Sequence, residues 1–171
     1  MLQRHGFVID KLTNSIEQQK TGKSFDTDIL LVRAEEIKTV LKKNGWLFNW
    51  KTEFKLEGHQ VYKLVVKGKQ RIEGLVSLEK MDNYVEMHLI ETAPHNKGIN
   101  REFLGVAGNL VAFVCKMSFD LGFEGCVAFV AKTKLIDHYA ETLGAQLIYG
   151  HERMGIFTEA AKKLVDSYYK K

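Results

Sequence analysis

The sequence predicts an α+β fold with a mixed, mostly antiparallel sheet, a central βαβ crossover and flanking helices. Three observations predict it. Residues 60–93 hold three runs of alternating or β-branched residues separated by short turns, which favours an antiparallel meander. Residues 107–121 are apolar around much of a helical circumference, and the apolar run 127–131 is typical of a buried strand. This order predicts that the strands at 84–93 and 127–131 are parallel neighbours.

The other elements are predicted from the same periodicities and from turn residues. Beyond the crossover we expect a helix at 134–143, strands at 146–149 and 153–157, and a closing helix capped by Thr158. Before residue 57 the pattern is weaker. It allows a short helix at 10–20, a turn at 21–24, a strand at 28–32 and a helix at 34–44. The aromatic residues that follow indicate core packing or exposed rings for a substrate: Trp46, Phe48, Trp50 and Phe54.

Composition predicts one soluble domain over residues 1–171. Hydrophobic residues make up 45% and charged residues 27%, which excludes a disordered chain, and there is a single proline. Cys115 and Cys126 fit neither a disulfide framework nor a zinc spacing, and no signal-like or membrane-spanning stretch is present, so we expect a cytoplasmic location. The net charge of +4 fits a solvated surface or attraction to an anionic ligand. Without a basic stripe, nucleic acid is not an expected partner.

A run of small residues opens the long apolar helix, and it is Gly105-Val106-Ala107-Gly108-Asn109. The first N–H groups of a helix have no internal partners, and small residues let an anion approach them. The run therefore indicates either a diphosphate-binding turn or an ordinary turn before a helix.

The chain also resembles the GNAT acetyltransferase superfamily over residues 60–157. The resemblance rests on the run from Leu89 to Pro94, the Gly105-Val106-Ala107 turn, the short strand from Val127, and the helix that carries Tyr139 and Gly144. The chain departs from the family pattern in four places: Glu102 where Gln or Arg is usual, a longer loop at 95–104, Lys132 where Asn is often found, and one extra residue between Tyr139 and Gly144.

The resemblance implies that an acyl-CoA lies in the gap between two splayed strands. Its pantetheine arm would bond to strand-end backbone at Glu91, Thr92 and Ala93. Its diphosphate would lie on the helix start, with cofactor-binding residues Gly105, Val106, Ala107, Gly108 and Asn109. The positive charges near the 3′-phosphate would be Lys132, Lys134, Lys97 and Arg101.

The resemblance also implies two catalytic residues. Tyr139 would protonate the leaving thiolate, although the same residue fits a core tyrosine on an amphipathic helix. Glu86 would act as the base, directly or through water, although the same residue fits a surface strand carboxylate. Strand alternation places His88 on the face of Glu86 and Glu91 on the opposite face. The six histidines show no metal-ligand spacing, so no metal is expected, although His95 and His138 are free to meet in space.

The function expected from this resemblance is transfer of an acetyl group from acetyl-CoA to an amine on a small molecule or protein. The alternative is a non-catalytic module that binds an acyl-CoA or a nucleotide on the same fold. No membrane partner is expected, and a homodimer is left open.

Overall fold

A computed structural model describes residues 4–11 and 13–169 of the chain. The strands are β1 (Ile16–Gln18), β2 (Ser24–Phe25), β3 (Thr27–Leu31), β4 (Gln60–Val66), β5 (Gly74–Lys80), β6 (Val85–Thr92), β7 (Phe103–Leu104), β8 (Val127–Val130), β9 (Gln146–Tyr149) and β10 (Arg153–Ile156). The α-helices are α1 (Ala34–Ile37), α2 (Trp50–Lys55), α3 (Val106–Asp120), α4 (Ile136–Leu143) and α5 (Thr158–Tyr168). Short 3-10 helices lie at Lys42–Asn44, Pro94–Asn96 and Thr133–Leu135.

The main sheet has seven strands in the order β3-β4-β5-β6-β8-β10-β9. All its neighbours are antiparallel except β6 and β8, which are parallel and joined through α3. They pair only at Val85 with Val127 and at Glu86 with Ala128, and then separate. This confirms the predicted mixed sheet, the crossover and the diverging parallel neighbours. A smaller sheet, β2-β1-β7, lies beside the start of α3.

Two hydrophobic clusters cover the two faces of the main sheet. One combines α3 and α5 with side chains such as Val76, Leu78 and Met87. The other combines the α1–α2 region, including Trp50, with the opposite face of the strands, including Leu75. Alternation along each strand sends successive side chains to opposite faces, which is why neighbouring residues of β5 belong to different clusters.

A β-bulge in β6 changes the order in which its side chains face the two layers. The register shifts between Ser77 and Leu78 of β5, opposite His88 of β6. Glu86, His88 and Glu91 consequently all face the α1–α2 side. The expectation that Glu91 and Glu86 lie on opposite faces of the sheet is wrong. A bulge adds one residue to one strand, and side chains beyond it therefore alternate in the opposite order.

Before β4 the structure differs from several expectations. Residues 13–18 contain a bend and β1 rather than a helix, so the helix predicted at 10–20 is wrong over its described residues. The helix predicted at 34–44 is a single turn, α1, followed by a 3-10 turn that ends at Gly45 with φ of 99°. The strand at 28–32 is confirmed as β3.

The aromatic strip is core rather than an exposed surface. Trp46 and Trp50 are buried, and Phe48 and Phe54 pack against their cluster. Part of the strip is helical, because Asn49 caps α2 by accepting a hydrogen bond from the Thr52 N–H at 3.1 Å. At the other end of the chain the cap residue of α5 is Phe157, so the expected Thr158 cap is wrong. The Thr158 hydroxyl donates instead to the Glu124 carbonyl.

Among the described residues, no helix combines the length and the apolar composition that crossing a membrane requires.

Candidate functional site

The candidate site is the gap that opens where β6 and β8 part. Its walls are β6 beyond Glu86 and β8 beyond Ala128. The side chain of Tyr139, on α4, reaches the gap and packs against Phe129 of β8 with ring centroids 5.5 Å apart. The start of α3 lies further along, beside β7 and the small sheet. The elements that the family resemblance places around an acyl-CoA therefore lie around one gap.

Residues 4–11, which we call the gap segment, run through this gap. His5 connects its two walls. The His5 N–H donates to the Val130 carbonyl at 2.7 Å, and the His5 carbonyl accepts from the Lys132 N–H at 2.9 Å. On the other wall His5 Nε2 lies 2.7 Å from the Met87 carbonyl oxygen. The gap segment is thus joined to the β8 side by one parallel bridge between His5 and Ala131, and to β6 by the His5 side chain.

The middle of the gap segment is held by side chains of α4. The Tyr139 hydroxyl donates to the Phe7 carbonyl at 2.6 Å, and the Ile9 N–H donates to His138 Nε2 at 2.9 Å. Tyr139 is completely buried, and burial raises the pKa of its hydroxyl. The hydroxyl therefore stays protonated throughout the neutral pH range and acts as a donor.

The gap segment ends with a carboxylate at the start of α3. Asp10 Oδ1 accepts from the Gly105 N–H at 3.0 Å, and Asp10 Oδ2 lies 3.1 Å from Arg101 Nη1. A helix N-terminus carries partial positive charge, so this position favours an anion. The helix start and Arg101, which the sequence assigned to phosphates, meet a carboxylate of the same chain.

The glycines at this helix start have packing reasons of their own. Gly105 has a φ of 89°, a left-handed conformation that favours glycine, and a Cβ there would lie 2.3 Å from Thr13 Oγ1. A Cβ on Gly108 would lie 1.8 Å from the Tyr168 hydroxyl oxygen, which itself donates to the Lys11 carbonyl. The three other residues expected here, Val106, Ala107 and Asn109, are also buried.

The expected pantetheine-binding residues lie along the same wall of β6. The side chain of Glu91 has a structural role, because its carboxylate accepts from the Leu47 and Phe48 N–H groups and from Trp50 Nε1. Ala93 is buried, and its N–H donates to the Glu73 carbonyl. A cavity of about 270 Å³ remains between this wall and the gap segment. Its lining includes Phe7, Val8, Ile90, Glu91, Thr92 and Lys132.

The basic residues expected near the 3′-phosphate are scattered among other contacts. Lys97 Nζ pairs with Glu91, and Arg101 pairs with Asp10. Lys132 borders the gap, and its side chain leaves no room for a Cβ on Gly6. Lys134 is exposed on the 3-10 turn before α4. Glu102, whose charge conflicts with a diphosphate, pairs with Arg71 Nη2 at 2.9 Å.

Glu86 is buried beneath the point where the strands part. Arg153 of β10 donates to both of its carboxylate oxygens, at 2.7 Å from Nη1 and 2.5 Å from Nη2. The carboxylate raises the pKa of the Arg153 guanidinium. Each carboxylate oxygen keeps a second lone pair beside its bond to the guanidinium, so further acceptor sites remain on Glu86.

No protein-family model and no curated protein sequence matches the chain, whereas solved structures match its fold. A mutant of spermidine N-acetyltransferase SpeG from Vibrio cholerae matches with a TM-score of 0.54 and 14% identity, over 79% of this chain and 95% of that one. The ribosomal-protein-S18-alanine N-acetyltransferase from Escherichia coli matches with a TM-score of 0.55 and 13% identity, over 76% and 92%. The chain has the GNAT N-acetyltransferase fold. A dodecameric structure of the Vibrio cholerae spermidine enzyme also matches, with a TM-score of 0.52 and 15% identity, over 78% and 94%.

On this GNAT fold, the residues that sequence reasoning missed are those of the gap segment. His5 and Asp10 contact residues 82 and 95 positions away, and no local pattern connects them. Sequence reasoning also left open whether His95 and His138 meet. They have separate partners in the structure, Glu73 for His95 and the Ile9 N–H for His138.

Burial of His5 makes docking of the gap segment dependent on pH. His5 is 2% exposed, and desolvation, with a smaller contribution from the charge of His88, lowers its pKa from 6.5 to about 4, although the Met87 carbonyl opposes the shift. Docking is therefore strongest above pH 6.5 and weakens as the pH falls toward 4, because the released histidine binds a proton that the docked one excludes.

We expect acidification from pH 7 to pH 5 to lower the equilibrium constant for docking of the gap segment about twentyfold. The factor follows from proton linkage, with a His5 pKa of 6.5 in the released segment and about 4 in the docked segment. Amide protection factors at Gly105 and Lys132 measure it, since both N–H groups donate to the gap segment. His5→Gln keeps a donor for the Met87 carbonyl and lacks the imidazole, so the part of the fall in protection that His5 causes should be absent from this variant. An equal fall in His5→Gln would assign the effect to another group.

Proposed function

We propose that the chain transfers an acetyl group from acetyl-CoA to an amine, with the acyl-CoA bound in the gap between β6 and β8. The observation that carries the proposal is the position of Asp10. Its carboxylate is held by a helix-start N–H and by Arg101, at the far end of a segment that bonds to both walls of the gap. An extended ligand with a polar arm that leads to an anionic group matches this set of donors and acceptors, and acyl-CoA, whose pantetheine arm leads to a diphosphate, is such a ligand.

The gap segment and an acyl-CoA compete for the same donors under this proposal. The apparent dissociation constant of the ligand then equals its intrinsic value divided by the fraction of molecules in which the segment is undocked. Release of residues 4–11 is consequently part of the proposed binding step.

The proposed chemistry needs three events: the amine loses a proton, the developing oxyanion is stabilised and the thiolate gains a proton. Tyr139 is the proposed acid, because its hydroxyl is protonated and is directed into the gap. Glu86 is the proposed base, and its carboxylate has acceptor sites beyond the two that Arg153 occupies. The remaining cofactor contacts are proposed at the strand-end backbone of Glu91, Thr92 and Ala93, and at the positive charges of Lys132 and Lys134.

The acceptor is proposed only as a class, an amine of a small molecule or of a protein. Both classes occur in the names of the similar structures, one being a spermidine and the other a ribosomal-protein-alanine acetyltransferase. A homodimer stays a prediction, as does a cytoplasmic location.

A second candidate function follows from the gap segment itself. Since the chain fills its own gap, a non-catalytic module on the same fold is the alternative, either binding an acyl-CoA or a nucleotide without turnover or keeping the gap permanently closed. The two candidates differ in whether an acyl-CoA displaces residues 4–11 and is then consumed.

Asp10→Ala tests the proposal by weakening the gap segment. The change removes hydrogen bonds to a charged group, which are worth about 1.5–3 kcal/mol, so docking should weaken on the order of tenfold to a hundredfold. We expect CoA to bind more tightly by a similar factor in calorimetry, and acetyl transfer to an amine panel to increase at low acetyl-CoA. Asp120→Ala is the matched control, because it removes the same charge from an exposed i,i+4 pair on α3.

Two outcomes would count against the proposal. If parent and Asp10→Ala are both folded and neither binds CoA at millimolar concentration, the gap is not an acyl-CoA site. If both bind CoA but no amine is acetylated, the chain is a non-catalytic binding module rather than an acetyltransferase.

A further inference from the structure

A second polar cluster lies on the α1–α2 face of the sheet, and we call it the histidine cluster. It consists of His59, just before β4, Glu79 on β5 and His88 at the bulge of β6. One possible ligand atom from each residue lies within 4.8 Å of the others. His88 Nε2 is 2.9 Å from Glu79 Oε1, and His59 Nε2 is 3.9 Å from the same oxygen.

The hydrogen bonding around His59 fixes which of its ring nitrogens is free. His59 Nδ1 lies 2.6 Å from Glu53 Oε1, which also accepts from the Ser77 hydroxyl at 2.6 Å. A carboxylate only accepts, so Nδ1 carries a hydrogen. In the neutral ring Nε2 is then a bare lone pair that faces the Glu79 carboxylate, another acceptor.

Two acceptors in this position need a group between them that both can bind. That group is a second proton on His59, a water molecule that donates to both, or a bound cation. A carboxylate that holds the outer nitrogen of a histidine is the usual second partner of a metal-binding histidine, because it fixes the tautomer and orients the ring. Glu53 has this relation to His59.

We infer that His59, Glu79 and His88 bind a divalent transition metal ion such as Zn²⁺, with Glu53 as the positioning residue. Two imidazoles and one carboxylate are a set that zinc accepts, with a fourth position left to water. For zinc–ligand distances of about 2.0–2.2 Å, tetrahedral ligand atoms lie about 3.4 Å apart, between the two separations observed. The side chain of Glu79 is 31% exposed, which leaves the cluster open to solvent on that side.

Two adjustments accompany binding. The His59 and His88 rings are stacked at 3.8 Å with planes 7° apart, so one ring must tilt before both lone pairs converge on one ion. His59 is the more exposed ring and follows Gly58, where a Cβ would lie 2.8 Å from Glu79 Oε2. His88 must also present Nε2 without its hydrogen, which a neutral ring does by carrying the hydrogen on Nδ1 instead.

The test uses the full chain without an affinity tag, stripped with a chelator and titrated with Zn²⁺ alone, and with Co²⁺ for its visible spectrum. We expect about one ion per chain, a rise in melting temperature with Zn²⁺, and a tetrahedral Co²⁺ spectrum. Glu53→Gln should weaken binding about tenfold to a hundredfold, and His59→Gln should weaken it more. His151→Gln, at an exposed histidine outside the cluster, should leave the affinity unchanged.

Three results would overturn the inference. One is unchanged Zn²⁺ affinity in the double variant His59→Gln and His88→Gln, which would place the ion elsewhere on the surface. Another is an absence of stoichiometric binding by the folded parent chain. The third is a ¹⁵N spectrum at pH 7 in which both His59 nitrogens stay protonated in the presence of Zn²⁺, which would make the group between the acceptors a proton. None of these results depends on acetyl transfer, so this site and the proposed function fail separately.

Discussion

Replacing Arg153 with methionine should lower the free energy of unfolding by about 3–5 kcal/mol, the usual cost of leaving one partner of a buried ion pair alone. The side chains of Glu86 and Arg153 are 5% and 15% exposed, so water cannot replace the lost guanidinium. Urea denaturation at pH 7 measures the change.

Two controls separate the buried pair from general charge effects. Lys116→Met also removes one positive charge, but from an exposed i,i+4 pair, and should cost less than about 1 kcal/mol. Adding Glu86→Gln to Arg153→Met should recover much of the lost stability, because no unpaired charge remains. If Arg153→Met alone stays within about 1 kcal/mol of the parent, water reaches Glu86 and the pair does not hold the strands together.

The pair matters because of where it lies. Glu86 is the last residue of β6 that pairs with β8, and Arg153 comes from β10 on the far side of β8. The two side chains therefore connect β6 to β10 across β8 at the base of the gap. Weakening this connection is expected to disturb the gap as well as the global stability.

Residues 60–157 could be predicted from the sequence because their signals are local. Alternation in β4 to β6 and the apolar run of α3 specify strands and a helix within each segment, and the order of elements specifies the crossover. The bulge at His88 could not be predicted, since it depends on how β5 and β6 pair. The histidine cluster depends on that register and on a turn before β4, which is why its members, at 59, 79 and 88, show no ligand spacing.

The gap segment could not be predicted for a different reason. It has no regular secondary structure beyond one bridge at His5, so neither helical nor strand periodicity marks it. Its stability comes from donors and acceptors on β6, β8, α3 and α4, all distant in sequence. The glycine run at Gly105 indicated an anion site, but nothing in the sequence indicated that Asp10 supplies an anion.

Tyr139→Phe should lower the rate of acetyl transfer by about a hundredfold to ten-thousandfold, the usual effect of losing a general acid. The phenylalanine ring fits the same space, because the change removes only a hydroxyl that donates to the Phe7 carbonyl. Removing that bond also weakens the gap segment by about 0.5–1.5 kcal/mol, so CoA should bind roughly two- to tenfold more tightly. The rate and the affinity are thus expected to change in opposite directions.

These opposite changes in rate and CoA affinity distinguish a general acid from a tyrosine with only a structural role. If Tyr139 only anchors the gap segment, Tyr139→Phe tightens CoA binding and leaves the maximal rate unchanged. The comparison is best made in the Asp10→Ala background, where the segment is already weakened and the effect on affinity should be smaller, while the effect on rate persists. Turnover at saturating acetyl-CoA, CoA affinity and melting temperature measured together decide it. A parental maximal rate in a folded Tyr139→Phe chain would remove Tyr139 from the chemical step and assign its hydroxyl to holding residues 4–11 in the gap.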